Sequence, residues 1–227
     1  MQHEPSRDEQ LRTPLARTLL VRGGLVVAGA LVVSGLGGSI GRARATDAAS
    51  PVGVVEAASQ ELRDLQAQLE AARGELAVAK LQIDRTNAII EYSRRYAIPA
   101  DLSAAIYDIA LSEGIDPSLG YRLVKVESNF SIKARSNKNA IGYTQIQPAT
   151  ARYYDPDITE AELFDRETNL RFGFRFLRDL MRRYDTLELA LLAYNRGPGR
   201  VDQIMAEGGD PANGYEAAVL RGYKPRS

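Results

Sequence analysis

The sequence predicts a mainly α-helical protein, and three observations carry that prediction. Residues 23–41 form an uncharged run of nineteen residues, the composition of a hydrophobic helix. Leucine and isoleucine then recur every seven residues through 54–96, which is typical of a long helix with one apolar stripe. Further along, no stretch alternates apolar and polar residues as a strand does, except a short irregular piece around 140–147.

The composition is that of a globular chain and excludes several classes of site. Of the 227 residues, 29 are Lys or Arg and 29 are Asp or Glu, so no basic excess points to nucleic acid. The absence of cysteine excludes disulfides, thiolate metal sites and a cysteine-linked lipid. The single histidine is His3, in the N-terminal tail, so the folded part has neither a His-based zinc site nor a Ser-His-Asp triad.

Residues 1–45 have the pattern of an export signal or a membrane anchor. Arg12, Arg17 and Arg22 precede the uncharged run, and Ala43 and Ala45 follow it with the spacing of a signal cleavage site. As a signal peptide the segment would be cut after about Ala45, whereas as an anchor it would attach the chain to the membrane through residues 19–41. Either way the preceding arginines predict an exported, periplasmic or cell-envelope location for the rest of the chain. A buried core helix is a weaker alternative, because core helices seldom lack a polar face over this length.

A linker and a long helix follow the N-terminal segment. Residues 46–53 are small and polar and contain Pro51, which predicts a linker. Residues 54–96 are predicted to form a coiled-coil-type helix that self-associates or binds an envelope partner, since an exposed apolar stripe needs a cover. The alternative is one helix that packs on the next domain or lies in solvent. The seam positions are Leu62, Leu65, Leu69, Ala72, Leu76, Ala79, Ile83, Thr86 and Ile90.

Residues 97–227 are long enough to bury a core of their own and are predicted to form a separate helical domain. Pro99 ends the long helix, and Asp101 is placed to cap the next one. The predicted helices are 102–112, 116–127, one that begins at Pro148, 168–184, 186–194 and 199–207.

Glu127 is the strongest candidate for a catalytic residue. It ends a predicted helix, and Leu123 and Val124, four and three residues earlier, lie on the same helix face as Glu127. Apolar neighbours remove hydration from a carboxyl, so its pKa rises and it can hold a proton near neutral pH. An acid at this position is otherwise a common structural feature, and the downstream segments favour the catalytic interpretation.

Short polar side chains follow Glu127 in two segments. Ser128 and Ser136 can orient a carboxyl or bind a sugar, although capping and turn formation explain Ser128 equally well. Gly142 permits close backbone approach, and Gln145 has both the donor and the acceptor that sugar hydroxyls and N-acetyl groups require.

Tyr194 and Asn195 end a later helix, directly before a Gly-Pro-Gly turn. This arrangement presents a phenol and an amide at the edge of a loop. A structural tyrosine is the alternative for Tyr194.

Together these residues resemble the soluble lytic transglycosylase family, whose catalytic domain has a lysozyme-like α+β fold. The resemblance covers about residues 99–225. The segments that carry it are Val126-Glu-Ser-Asn-Phe130; Ser136 with Ala140-Ile-Gly142, Gln145 and Pro148-Ala-Thr-Ala151; Asn169-Leu170, Gly173 and Phe176-Leu177; and Ala193-Tyr-Asn195 with Gly197-Pro-Gly199.

The chain departs from the family pattern at several positions. Tyr143 and Thr144 replace an apolar pair, and Phe176 stands where tyrosine is usual. Near the C-terminus the chain keeps Tyr215 but lacks the glutamate that many members have a few residues earlier.

The resemblance implies a lytic transglycosylase that acts on peptidoglycan glycan strands without a metal or an organic cofactor. Glu127 would protonate the bridging oxygen between N-acetylmuramic acid and N-acetylglucosamine, then take a proton from the C6 hydroxyl, giving a 1,6-anhydro product. Ser136, Gln145, Tyr194 and Asn195 would orient the acid or the sugar, with Tyr215 as a further member of that set.

Two other functions are compatible with the sequence. A hydrolytic muramidase would use water, with Asp155 or Asp157 as base, although turn formation around Pro156 explains both aspartates. A catalytically weak peptidoglycan-binding envelope module is the second. An enzyme that cuts the wall for a secretion or conjugation machine is a specialised form of the main hypothesis.

Overall fold

The computed structural model describes residues 51–224 of the chain. The chain divides into two units between Ser59 and Gln60, and the described part of the first unit, residues 51–59, is the opening of a long helix. The predicted signal or anchor segment and residues 46–50 of the predicted linker lie outside the described residues. Within residues 51–224 the α-helices are α1 Pro51–Tyr96, α2 Ala100–Ser112, α3 Pro117–Ser128, α4 Pro148–Tyr154, α5 Arg166–Arg183, α6 Leu187–Arg196, α7 Pro198–Ala206 and α8 Tyr215–Leu220.

The prediction of a mainly helical protein is confirmed. The strand-like piece around 140–147 is reduced to two isolated antiparallel bridges, from Ile141 to Arg135 and from Ile141 to Ile146. Gly142 and Gln145 take positive φ angles of 75° and 49°, which turn the chain back on itself before a strand can extend. Across residues 51–224, no helix is both long enough and apolar enough to cross a bilayer.

The starts of α1 and α2 are among those that differ from the predictions. α1 begins at Pro51, so the last three residues of the predicted linker are helical; proline suits a first turn because that turn's amides have no helical acceptor. The predicted cap by Asp101 is wrong: α2 begins at Ala100 after Pro99, with no side-chain cap. Asp101 instead accepts a hydrogen bond from Arg166 of α5 at 2.7 Å.

The main core lies between α2, α3, α5 and α6, and their inward side chains are fully buried. Ile106, Tyr121, Leu123, Phe174 and Leu191 are each 0% exposed. A smaller cluster lies under the 134–147 loop, and it seats that loop on α4 and α5. Its members are Ile141, Ile146, Ala151, Ile158, Leu163 and Phe172.

The last turns of α1 belong to the same core. Tyr92 stacks on Tyr121 with ring centroids 4.1 Å apart, and the Ser103 hydroxyl donates to the Ile89 carbonyl at 2.9 Å. The core therefore extends N-terminal to the domain start predicted at residue 97, because α1 continues unbroken into it.

Candidate active site

Glu127 lies in the last turn of α3, and the sequence fixes both ends of that helix. At the start, Asp116 accepts a hydrogen bond from the Ser118 amide at 2.8 Å, and Pro117 occupies the first turn. At the end, Asn129 and Phe130 take positive φ angles of 51° and 62°, so the chain leaves the helix sharply. The acid is thereby held at a rigid helix terminus beside a bend.

The carboxyl of Glu127 is partly buried and its pKa is raised. Burial raises the pKa of Glu127 from 4.5 to about 7, and a hydrogen bond from Tyr215 opposes that rise. The Tyr215 hydroxyl donates to Oε1 of Glu127. Near neutral pH the group is therefore divided between its protonated and ionised forms, as a residue that both gives and takes a proton requires.

Tyr215 reaches the acid from the start of α8, which follows Gly214 in a left-handed conformation with φ of 83°. Of the predicted site residues, Tyr215 is the one bonded to the Glu127 carboxyl. Burial raises the pKa of Tyr215 well above its ordinary value, and the neighbouring Glu127 charge adds to the rise. The phenol therefore stays a hydrogen-bond donor across the working pH range.

Tyr194 is buried at the end of α6 and donates from its hydroxyl to the Thr144 carbonyl at 2.8 Å. Burial, and secondly the Glu127 charge, raises the pKa of Tyr194 well above its ordinary value. Its ring packs against Phe176 with centroids 5.2 Å apart. Tyr194 thus joins α6 to the 140–147 loop, which is a structural role, and it also lines the same cleft as Glu127.

Thr144 and Asn169 form a buried polar pair that no local sequence pattern connects. Asn169 accepts from the Thr144 amide and hydroxyl at 2.9 Å each, and it donates to the carbonyls of Ile141 and Leu163 at 2.9 and 2.8 Å. Both side chains are 0% exposed, so these bonds meet the cost of burying polar groups. The signal available in the sequence is Gly173, four residues after Asn169, where a Cβ would lie 2.3 Å from the Thr144 Cβ.

Gly142 is required by close approach, as predicted from its residue type. A Cβ at this position would lie 2.2 Å from Nδ2 of Asn169, and its φ of 75° already disfavours other residues. Gly142 therefore acts by letting the loop close onto Asn169, and its own carbonyl accepts from Gln145 Nε2 at 3.0 Å.

Gln145 and Ser136 line the cleft beside Glu127. Nε2 of Gln145 is held by the carbonyls of Gly142 and Ala134, at 3.0 and 3.2 Å, which fixes the direction of the amide. The Ser136 hydroxyl accepts from the amides of Lys138 and Ala140, so it shapes the loop on which it lies.

Ser128 and Asn195 differ in their placement. The Ser128 hydroxyl donates to the Tyr143 carbonyl at 2.8 Å and ties the end of α3 to the loop, and Ser128 is not among the cleft-lining residues. Asn195 lines the cleft and is exposed. Its Oδ1 accepts from Asn213 Nδ2 at 3.0 Å, which links the end of α6 to the segment before α8.

Glu127, Ser136, Gln145, Tyr194 and Asn195 line a cleft of about 400 Å³. Its lining comes from Glu127, Phe176 and three segments within 136–140, 145–150 and 194–198. Glu127 is the one carboxylate in the lining that the described residues provide, and Lys138 and Arg196 are its cations. Asp155 lies outside the lining and accepts from the Asp157 amide at 3.1 Å, as a turn residue does. The described residues contain no cluster of three His, Cys, Asp or Glu that could hold a metal ion.

Residues 104–214 match the Transglycosylase SLT domain family. This part of the chain is therefore similar to the transglycosylase SLT family. The SLT domain includes every predicted site residue except Tyr215, which lies one residue beyond the matched range. The long exposed part of α1 precedes the match.

Individual relatives of the SLT domain come from a phage and from bacteria. The chain is 31% identical over 107 residues to a transglycosylase of Enterobacteria phage PRD1, covering 47% of this chain and 37% of that protein. A solved structure of an inactive mutant of lytic transglycosylase Slt from Pseudomonas aeruginosa is 26% identical, with a TM-score of 0.44, and covers 51% of this chain and 22% of its own. For the 70 kDa soluble lytic transglycosylase of Escherichia coli, the values are 24% identity, a TM-score of 0.46, and 57% and 24% coverage. The chain thus spans little more than a third of the phage relative's length.

Proposed function

We propose that this chain is a lytic transglycosylase that cleaves the β-1,4 bond between N-acetylmuramic acid and N-acetylglucosamine in peptidoglycan. The observation that carries the proposal is the Glu127 carboxyl, which lines a sugar-sized cleft with its pKa raised to about 7. The match of residues 104–214 to the transglycosylase SLT family supports the same reaction class.

In the proposed mechanism Glu127 acts first as an acid. Its protonated carboxyl gives the proton to the bridging oxygen, and the bond from that oxygen to C1 of the muramic acid breaks. The sugar develops oxocarbenium character, assisted by its own N-acetyl group. The departing N-acetylglucosamine strand leaves as an alcohol, and Glu127 becomes a carboxylate.

Glu127 then acts as a base. It takes the proton from the C6 hydroxyl of the same muramic acid while O6 attacks C1, which forms the 1,6-anhydro ring and returns Glu127 to its protonated form. No water is consumed. One group in two roles works best when its pKa lies near the working pH, and the raised pKa of Glu127 meets that requirement.

The neighbours of Glu127 have separate positioning roles in this proposal. Tyr215 holds Oε1, so the other carboxyl oxygen is left to face the substrate. Tyr194 fixes the backbone of the loop that carries Gln145, whose Oε1 faces the sugar as an acceptor because Nε2 is held by two carbonyls. Ser136 and Asn195 complete the polar lining on either side.

The positioning of carboxylates favours the transglycosylase over a hydrolytic muramidase. Glycosidases that use water usually have two carboxylates that flank the bond at set separations. The described part of the cleft offers Glu127 alone, while Asp155 and Asp157 serve a turn outside it. The substrate's own C6 hydroxyl then replaces the water that a second carboxylate would activate.

The charge of the cleft supports an acidic glycan as substrate. Lys138 and Arg196 lie in the lining, and neither forms an ion pair among the described residues, although Arg196 also donates to the Pro211 carbonyl at 3.1 Å. Peptidoglycan carries carboxylates on its peptides, and on those lactyl groups that bear no peptide, whereas chitin carries none. We accordingly propose export of the chain through the N-terminal apolar segment, since this substrate lies outside the cytoplasmic membrane, with residues 97–227 at the glycan.

Digestion of purified sacculi with the full chain, followed by mass analysis of the products, tests the proposal. Products lighter by one water than reducing-end fragments are expected, and Glu127→Gln should form none. Reducing ends would establish a hydrolase instead. Binding of wild-type protein to sacculi without any turnover would establish a wall-binding module.

A further inference from the structure

The apolar stripe of α1 is left uncovered by the rest of its own structural unit. Leu62, Leu69, Leu76 and Ile83 recur every seven residues, and each is between 51% and 70% exposed. Ala72 and Ala79 lie between them on the same face and are exposed as well. An exposed stripe of this length on a soluble helix marks a surface for another molecule.

The attachment of α1 to the core uses a different face of the helix. Ile89 and Tyr92 are buried against the core, while their neighbour Ile90, which continues the stripe, stays 48% exposed. Arg85 forms an ion pair with Asp108 of α2 on the attached side. The stripe therefore remains free even where the helix joins the globular part.

We propose that residues 60–90 of α1 pair with the same residues of a second copy of this chain, as a parallel and in-register two-stranded coiled coil. The spacing of four and three between stripe residues is the spacing that lets two helices pack side chains into each other's gaps. Alanine at 72 and 79 lets the two backbones approach closely. Burial of the stripe would stabilise a helix that otherwise projects alone into solvent.

The charges beside the stripe decide the direction of pairing. Glu61 and Glu75 precede the large stripe residues on one flank, and Arg73 and Lys80 lie on the other flank. In a parallel pair each flank faces the opposite flank of the second helix, which brings Glu75 to Lys80 of the other copy, twice by symmetry. In an antiparallel pair like flanks meet, so acids face acids and bases face bases.

Glu75 and Lys80 are available for this contact. Neither side chain has a hydrogen bond or an ion pair within residues 51–224, whereas Arg73 is paired with Glu70 at 2.7 Å. The remaining flank positions are mostly amides, Gln66, Gln68 and Gln82. Bundles of three or more helices would bury these polar flanks at a cost, which favours two strands.

The absence of native cysteine makes the register directly testable in the full chain. Ala72→Cys and Ala79→Cys place a thiol on the stripe, and Ala71→Cys and Ala77→Cys are matched controls on the outer face of the same helix. Mild oxidation followed by non-reducing electrophoresis measures covalent dimer. Both stripe variants should cross-link, and each at least about tenfold faster than either control, because only facing positions meet disulfide geometry.

A second pair of variants tests whether pairing depends on the stripe itself or only on the hydrophobicity of α1. Leu76 and Leu81 are 70% and 69% exposed, but only Leu76 lies on the stripe. In the Ala79→Cys background, Leu76→Lys should slow cross-linking at least about tenfold, as a penalty above 1.4 kcal/mol gives, and Leu81→Lys should leave the rate within about twofold. Thermal unfolding of each variant checks that the globular part is intact.

Three results would overturn the proposal. Cross-linking of only one stripe position indicates an antiparallel or shifted pair. Equal rates at stripe and outer positions indicate contact without a defined seam. No cross-linking at either stripe position means that α1 meets a different partner or none.

Discussion

Tyr215, the first residue of α8, donates its hydroxyl to Oε1 of Glu127 at the end of α3, 88 residues earlier in the chain. This bond opposes the larger effect of burial on the pKa of Glu127. It also occupies one carboxyl oxygen and so determines which oxygen faces the cleft. A residue outside the matched SLT segment thus lowers the pKa of Glu127 and orients its carboxyl.

Removal of this bond should change the pH profile as well as the rate. Tyr215→Phe takes away a donor that stabilises the carboxylate, so the pKa of Glu127 should rise and the alkaline limb of kcat/KM should move to higher pH. We expect kcat to fall by about tenfold or more as the carboxyl loses its fixed orientation, since such a bond to a charged group is worth about 1.5–3 kcal/mol. Tyr153→Phe, at an 82% exposed tyrosine, is the control. An unchanged pH profile in Tyr215→Phe would contradict the positioning role.

The wild-type enzyme should lose activity as the pH rises through about 7. Only the protonated form of Glu127 can act as the first acid, and its pKa is about 7. The measurement is kcat/KM on soluble muropeptide strands between pH 5 and 9 at constant ionic strength. A flat profile up to pH 9 would mean that Glu127 does not donate the proton.

Glu127→Gln should abolish turnover and yet stabilise the fold at alkaline pH. Burial raises the pKa of Glu127 in the folded state above its ordinary value of 4.5. The contribution of the protonated carboxyl to folding stability is therefore complete below pH 4.5 and is lost as the pH rises through about 7. Wild-type unfolding free energy should therefore fall by up to about 3 kcal/mol across that range relative to the variant, at 1.36 kcal/mol per pKa unit. Denaturant unfolding of both proteins at pH 4.5 and 8.5 measures the difference. A difference that is independent of pH would show that the carboxyl is well hydrated.

Gly142→Ala should destabilise the 134–147 loop strongly. The added methyl group would meet Asn169 at 2.2 Å at a position with positive φ, so a loss of about 2–4 kcal/mol is expected from overpacking and strain together. Gly199→Ala is the matched control, because nothing lies within 4 Å of its Cβ position. Thermal or denaturant unfolding compares the stability of the two variants. Equal stability would contradict the close packing of Gly142 against Asn169.

Lys138→Gln should weaken activity on peptide-bearing strands more than on strands stripped of peptide. Lys138 is an exposed cation in the cleft, so its effect should also fade as salt rises, since exposed charges are screened within about 8 Å at physiological ionic strength. Lys133→Gln removes an exposed lysine outside the lining and is the control. The same loss on both substrates would argue against recognition of the carboxylates of the stem peptide.

The sequence predicts the helices well because capping and breaking residues mark their ends. Asp116 with Pro117 starts α3 and Pro148 starts α4, as expected from their local chemistry. Asp101 does not cap α2 because the helix begins one residue earlier, at Ala100, and the Asp101 carboxylate instead accepts from the distant Arg166. α8 was not predicted, since six residues carry too little periodicity for a pattern to appear.

The candidate site was predictable in its residue types more than in its contacts. The apolar neighbours of Glu127 anticipated its burial, whereas no local pattern indicates that Tyr215 would reach it. Thr144 stood out as a polar residue in an apolar place, but its partner Asn169 lies 25 residues away. Ser128, weighed equally for capping and for sugar binding, bonds to the loop backbone.

α8 brings the Tyr215 phenol to Glu127, and the turn directly before this short helix is exposed at Asn213 and Gly214. Val219 is its buried residue, and Arg122 of α3 holds the following turn through the Gly222 carbonyl at 2.8 Å. Cleavage of the exposed turn at Asn213 and Gly214 would break the chain directly before Tyr215. We expect such a cut to weaken the bond between Tyr215 and Glu127 while the helical core stays folded. Limited digestion could in this way silence the enzyme without unfolding it.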